Sequence, residues 1–232
     1  MVLIYYLTLK LKKSCWLKFI AKKIYPFIYV EFVVYFYIID KEKSIVNKKS
    51  LRNLFKKKRQ QFSKTEIESI SKQVRLQLTN QFEFKNKLVN VFLPIERFNE
   101  IDLSLFIDDI QELGGQVCLN KSDFKSNSIT PYLYSELSHI QTNEYGIPEP
   151  TEGSEIPLNR IDFVIVPLLT FDQNGHRVGY GKGFYDGFLA RCETNTLFVG
   201  VCHFDEPSNI ADLSEQDVPL HYIITPKKIY KF

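Results

Sequence analysis

Three glycines at alternate positions stand in the segment Arg177-Val178-Gly179-Tyr180-Gly181-Lys182-Gly183, with a lysine between the last two. Glycine lets a backbone turn sharply and come close to a ligand. Lys182 supplies a compact cation and Arg177 a planar fork, two ways of holding phosphate oxygens. The segment fits neither standard phosphate pattern. GxxxxGK[ST] fails because no Ser or Thr follows Lys182, and GxGxxG fails because the glycines run GxGxG. From spacing alone two readings stand: a phosphate-binding loop, or a tight connection with ordinary surface charges.

The elements around this segment must hold it. Phe163 to Val166 is an unbroken apolar, β-branched run, the mark of a strand buried on both faces. Phe184, Phe188 and Cys192 lie four apart, which predicts a short helix over 184–192. Its N-terminus would add unpaired N–H groups to the loop. Thr196 to Cys202 then closes a βαβ unit. Upstream, Leu88 to Leu93 reads as a strand ended by Pro94, followed by a loop over 95–100. A helix over 101–113 stops at Gly114-Gly115, and Gln116 to Leu119 is the next strand. This order predicts a parallel sheet with right-handed crossovers. Ligands in such sheets bind beyond the carboxyl ends of the strands, where Glu100 lies. Glu100 could equally be an acid in the first turn of a helix, which the dipole favours.

Asn47 to Arg59 predicts a helix with Leu51, Leu54 and Phe55 on one stripe among basic residues. Ser63 and Glu66 form a capping box that starts a second helix through Ile67, Ile70, Val74 and Leu78. Ile129 to Tyr134 and Leu137 to Ile140 read as short strands. Tyr145 to Pro150 reads as an extended, proline-fixed loop, and the chain ends on an apolar Tyr222 to Thr225. The fold class expected is α/β: a single three-layer domain with a mostly parallel sheet flanked by helices.

At 232 residues, with 44% hydrophobic and 25% charged, the chain can build a full core. Its four cysteines make no CxxC and its histidines no HExxH, which argues against zinc and disulfide frameworks and fits a reducing cytoplasm. The formal charge of +3 is uneven. Residues 1–49 hold ten lysines and three acids, which leaves 20 basic and 24 acidic residues from Ser50 onward. A mildly acidic body disfavours nucleic acid as a partner. Residues 1–46 differ in composition, being rich in Tyr, Phe, Ile and Lys. Ile24 to Ile39 is short for a membrane span and holds Glu31. Three readings remain for this extension: a basic-aromatic anchor, a loosely docked extension, or translated upstream DNA, the last favoured. The domain expected to act is 47–232.

The wording of the loop adds to its spacing. HRVGYGKGFYDGFL resembles the RLGxGxGYYDxxL signature of the 5-formyltetrahydrofolate cyclo-ligases, also called methenyltetrahydrofolate synthetases. Lys48-Lys49-Ser50-Leu51-Arg52 is similar to the family's opening K-x-x-L-R helix, and Phe92-Leu93-Pro94 with Glu100 is similar to its F-x-P-x(n)-E. The likeness spans about residues 48–225 and departs at Leu168 for Gly, Phe184 for Tyr and Gly187 for a larger residue. The resemblance implies ATP-dependent conversion of 5-formyltetrahydrofolate to 5,10-methenyltetrahydrofolate, with Mg2+ as cofactor. It places ATP at Lys48, Lys49, Arg52 and residues Arg177, Val178, Gly179, Tyr180, Gly181, Lys182, Gly183, Phe184 and Tyr185. Lys182 and Arg177 become the catalytic charges. Folate falls to Glu100, Tyr145, Tyr180 and Phe184, with Tyr145 either stacked on the pterin or a half-buried loop aromatic. Asp186 and Asp217 become the magnesium candidates. The expected state is a cytoplasmic monomer or weak dimer with no membrane partner. Competing readings are a non-catalytic nucleotide- or phosphate-binding α/β module tethered by residues 1–46, and an isomerase or acyl-CoA transferase on the same general fold.

Overall fold

The computed structural model describes residues 46–135 and 137–232, and the expectations for residues 1–45 lie outside them. Val46 to Phe232 forms one compact unit. Its first residue is already part of the fold. Val46 bridges Ile210 and its carbonyl accepts from Ala211 N–H at 3.2 Å, so the boundary drawn from composition moves by one residue.

Helix α1 (Lys48–Gln60) begins where the Asn47 side chain accepts the Ser50 N–H at 2.8 Å. Helix α2 (Lys64–Gln81) starts at the Ser63–Glu66 capping box, and both of its reciprocal bonds are present. Strand β1 (Leu88–Val91) follows, then a 3-10 turn (Glu96–Phe98) and helix α3 (Ser104–Glu112). The predicted helix began at 101, but residues 101–103 lie outside it. Asp102 takes both the Ser104 N–H and its hydroxyl, and so stops the helix there.

Strand β2 (Gln116–Asp123) outruns its prediction because β3 (Ser128–Leu133) pairs antiparallel along it. The strand expected over Leu137 to Ile140 is displaced: β4 runs Ile140–Thr142, with Leu137 in a turn, because its pairing partner is β5 (Pro148–Pro150), where only a loop was expected. After β6 (Phe163–Pro167) comes a hairpin of two short strands, β7 (Thr170–Phe171) and β8 (Arg177–Val178). The glycine segment therefore leaves the end of a hairpin. Helix α4 (Phe184–Leu189) is shorter than its prediction. It leads to β9 (Leu197–Val201), β10 (Tyr222–Ile224) and an unforeseen edge strand, β11 (Ile229–Lys231).

The main sheet runs β11-β10-β9-β6-β1-β2-β3. The five inner strands are parallel, and each edge strand is antiparallel. Alternation along the inner strands feeds two cores. Val89, Val91, Ile165 and Val199 face the helices α2 and α3, and Val164, Val166 and Phe198 face α4. This is the expected three-layer architecture. Leu168 packs against Gly200, where an added Cβ would lie 2.5 Å from Leu168 Cδ2, so the bulkier residue after β6 is matched by a missing side chain on β9. A third cluster joins Leu51 and Phe55 of α1 to Leu169 and Val178 of the hairpin. That contact lays α1 beside the carboxyl ends of the strands. Among the described residues, no helix is long and apolar enough to cross a membrane.

Candidate active site

Chain order reverses between β1 and β6, since β2 lies beyond one and β9 beyond the other. At such a switch point the loops diverge and leave a crevice. A cavity of about 510 Å³ opens there. Its floor is the carboxyl ends of β1, β2 and β6, at Phe92, Asn120 and Pro167.

Most of the residues singled out in the sequence meet around this cavity. Lys48, Arg52, Glu100, Tyr145, Arg177, Gly179, Tyr180, Gly181, Lys182, Gly183, Phe184, Tyr185, Asp186 and Asp217 all line it. Two do not. Val178 is buried in the cluster under α1, and Lys49 lies exposed outside the lining. The helical period explains the second: Lys48, Arg52 and Lys56 share one stripe at four-residue spacing, and Lys49 falls off it.

The glycine segment is shaped by what it packs on. Gly181 has φ +85°, a left-handed conformation, and a Cβ there would sit 2.5 Å from the Arg52 guanidinium carbon. Arg52 Nε also donates to Gly179 O at 3.0 Å, and Asn127 Nδ2 to Lys182 O at 2.8 Å. The loop backbone is thus held from both sides, with Lys182 exposed at its tip.

One side of the cavity is ionic. Arg177 is buried, donates to Asp186 Oδ1 at 2.7 Å and to Val218 O at 2.6 Å, and Val218 N–H reaches the same Asp186 oxygen at 3.4 Å. This clamp fixes the neighbouring Asp217, which pairs with Lys48 and takes the Ser214 N–H at 2.7 Å. Burial lowers Arg177 from the ordinary guanidinium value, opposed by Asp186. Burial would raise the Asp217 carboxyl, but the Lys48 ammonium and the Ser214 donors outweigh it and hold it low. Each candidate metal carboxylate is therefore paired with a candidate phosphate cation.

Among the described residues, the hydrogen bonds to Asp186 use Oδ1 and those to Asp217 use Oδ2, so the second oxygen of each faces no donor. No group of three or more His, Cys, Asp or Glu able to hold a metal occurs among the described residues. Two carboxylates beside phosphate cations fit magnesium, which takes one or two protein carboxylates and completes its shell with phosphate oxygens and water.

The other side is buried and aromatic. Glu100 is 4% exposed and accepts the Tyr180 hydroxyl at 2.5 Å and the Ile95 N–H at 2.8 Å. Burial pushes its carboxyl up, while Arg59, Tyr180 and Ile95 pull against that. Burial likewise raises the Tyr180 and Tyr185 phenols, which stay protonated donors. Tyr185 OH takes Asn120 Nδ2 at 3.3 Å, and Asn90 Nδ2 donates to Asn120 Oδ1 at 2.8 Å. Tyr145 stacks on Phe124 with ring centroids 3.7 Å apart, so one of its faces is covered by protein and the other is what a ligand can use. Phe184 meets Phe124 edge-on at 5.0 Å.

Several lining residues were missed in the sequence. Lys56 shares the spacing of Lys48 and Arg52, and Asn120 directly follows the predicted strand Gln116 to Leu119, so both carried a readable signal. Arg97, Phe98 and Phe124 carried none, because loops bring them in.

The sequence pattern of the 5-formyltetrahydrofolate cyclo-ligase family matches residues 44–226. The chain is 31% identical over 148 residues to the Escherichia coli K12 5-formyltetrahydrofolate cyclo-ligase, covering 62% of this chain and 80% of that one. It is 28% identical over 159 residues to the Mycoplasma genitalium enzyme of the same name, covering 68% and 86%. The solved structure of Aquifex aeolicus 5,10-methenyltetrahydrofolate synthetase superposes with a TM-score of 0.64 at 28% identity, over 79% of this chain and 92% of that one. The Mycoplasma pneumoniae 5,10-methenyltetrahydrofolate synthetase shares the fold, with a TM-score of 0.62 at 21% identity, over 78% and 100%.

Proposed function

The chain belongs to the 5-formyltetrahydrofolate cyclo-ligase family, and from that premise we propose that it closes 5-formyltetrahydrofolate to 5,10-methenyltetrahydrofolate with ATP as co-substrate. The observation that supports this best is the two-sided cavity. A glycine-basic loop with Lys48, Arg52 and Lys56 forms one wall, and a buried carboxylate with aromatic rings forms the other. A triphosphate suits the first wall and a pterin the second.

The chemistry needs both walls at once. The formyl oxygen on N5 is a poor leaving group. Transfer of the γ-phosphoryl group to that oxygen gives ADP and a phosphorylated formyl group with an electrophilic carbon. N10 attacks that carbon, loses its proton, and phosphate departs with the C–O bonding pair. The chain must hold the γ-phosphoryl group in line with the formyl oxygen and offset charge spread over the phosphoryl oxygens. Lys182 at the exposed loop tip and Arg177 in the clamp are assigned that role, with Lys48 and Arg52 on the remaining phosphates. Magnesium at Asp186 and Asp217 would neutralise phosphate charge when bound. Glu100, as an acceptor, would take pterin N–H groups, and the free face of Tyr145 would stack on the ring. The acting domain in this reading is residues 46–232.

The test is direct. Purified full-length chain mixed with 5-formyltetrahydrofolate, ATP and magnesium should develop the absorbance of the methenyl product and release ADP in equal amount. No product under any ATP concentration would refute the reading.

A further inference from the structure

Arg59 lies at the end of α1, and no part of the chemistry above uses it. In sequence it closes a run of basic residues, KKKR, that looks solvated. In the fold it is 2% exposed. It continues the stripe of Leu51 and Phe55 at four-residue spacing, so it points inward with them. Its Nη2 donates to the Tyr180 hydroxyl, 121 residues away. We propose that Arg59 is a positioning residue: through Tyr180 it holds Glu100 as a carboxylate acceptor facing the folate and ties that carboxylate to the glycine loop. The inference rests on the folate role given to Glu100 above.

Proton bookkeeping gives the chain its direction. A guanidinium only donates, and a phenol has one proton. Since Arg59 donates to the Tyr180 oxygen, the phenol proton goes to Glu100 Oε1 at 2.5 Å. Glu100 Oε2 takes the Ile95 N–H at 2.8 Å. Each carboxyl oxygen accepts one of these bonds, and both bonds are stronger to a carboxylate than to a neutral carboxyl, so with Arg59 they favour the ionised form against the burial that disfavours it. A second link locks the same ends together, since Asn99 Nδ2 donates to Arg59 O at 3.1 Å and to Phe62 O at 3.3 Å.

Other titratable groups face this chain from the packed elements. His203, just past β9, donates Nε2–H to Asn99 O at 2.8 Å and is kept neutral by burial and by Arg59 itself. Tyr185 on α4 is a neutral phenol. Lys56 lies over the Tyr180 ring at 5.1 Å. The cation that opposes protonation of Glu100 is Arg59. Among the described residues, Arg59 Nε is buried with no hydrogen-bond partner.

The experiment compares full-length wild type with Arg59→Lys, Arg59→Met and Tyr180→Phe. It measures kcat and KM for each substrate between pH 5.5 and 8.5. A parallel carboxyl-13C titration of glutamate-labelled protein follows Glu100, whose signal is identified by its loss in Glu100→Gln. An opposite charge nearby lowers an acid by roughly 1–3 pH units, so Arg59→Met should raise the Glu100 midpoint by about one unit or more. Its kcat/KM for 5-formyltetrahydrofolate should then gain a limb that falls toward acid, absent in wild type, while KM for ATP changes less. Arg59→Lys, which keeps the charge, should restore most of the wild-type profile. If Arg59→Met does not fold, Tyr180→Phe is the deciding variant, with a raised folate KM and the same direction of shift. Unmoved Glu100 titration and unmoved folate KM in the folded variants would overturn the proposal. Wild type that makes no methenyl product would instead sink the functional reading, while the titration still tests the Arg59 link.

Discussion

The two walls of the cavity handle charge in opposite ways, although one loop serves both. On the ionic wall, Lys48 and Arg177 are paired with Asp217 and Asp186, and Asp186 remains a third exposed at its side chain. On the other wall a single carboxylate, Glu100, is buried and held by the Tyr180 hydroxyl and a backbone N–H, with Arg59 behind. Lys48 and Asp217 keep some contact with water, and such a pair can exchange partners at smaller cost than a fully buried one, so an arriving phosphate can take over Lys48 from its carboxylate. A charge that water cannot reach must have its partners in place before the ligand comes. The ionic wall is thus suited to a flexible, highly charged ligand, and the buried wall to a rigid heterocycle with fixed donors.

The largest break in this comparison should come from Lys182→Ala. The side chain is exposed, so the melting temperature should hold, while turnover falls by the equivalent of about 2–4 kcal/mol of transition-state stabilisation. Steady-state kinetics with normal turnover would return Lys182 to solvent. Asp186→Asn should act on both function and stability. Activity should drop well over tenfold and recover in part with excess magnesium. A first-turn acid alone would leave stability untouched, but here the change strips a buried guanidinium of its anion. After allowance for the exposed part of Asp186, roughly 1–3 kcal/mol of stability should go with it, read by denaturant unfolding. Glu100→Gln should sharpen the contrast, with a folate KM higher by roughly tenfold to a hundredfold and an ATP KM near wild type, in line with loss of one charged hydrogen bond of about 1.5–3 kcal/mol. Equal rises in both would mean the walls are not separate.

A smaller effect concerns pH. Burial first, and then Arg59, lower His203 from its ordinary 6.5 to about 3. A base whose folded value is depressed adds stability that is present above its unfolded value. That stability is lost as pH falls through the window from about 6.5 to about 3. Thermal melts across that window should show wild type losing stability faster than His203→Gln, by up to about 1.4 kcal/mol per pH unit. Parallel curves would contradict it. The smallest effect is expected from truncation: residues 46–232 should stay soluble with kcat/KM unchanged, checked on the purified fragment.

Much of this was readable before any coordinates. The inner strands β1, β6 and β9 announce themselves as apolar runs, because both their faces are covered. The capping box at Ser63 sets the start of α2 by bonds within one turn. The glycine segment and Glu100 were legible from residue type and from their place beyond strand ends, whereas Lys48, Arg52 and the two aspartates were named through the family resemblance. These are all local signals, or consequences of strand order.

What remained hidden depends on partners far along the chain. Strand β11 and the β7–β8 hairpin exist because another strand lies in reach, and short segments carry little periodicity of their own. Tyr145 was readable either as a pterin stack or as a loop aromatic, and nothing local showed that Phe124 covers one of its faces. Arg177 and Asp186 looked like separate ligand contacts and are one ion pair. Arg59 is the sharpest case. Its place on the buried stripe is in the sequence, but in a run of basic residues nothing local says which cation water will reach. Only the packing of α1 over the strand ends, which brings Tyr180 and Glu100 to it, turned one of four similar charges into a buried one.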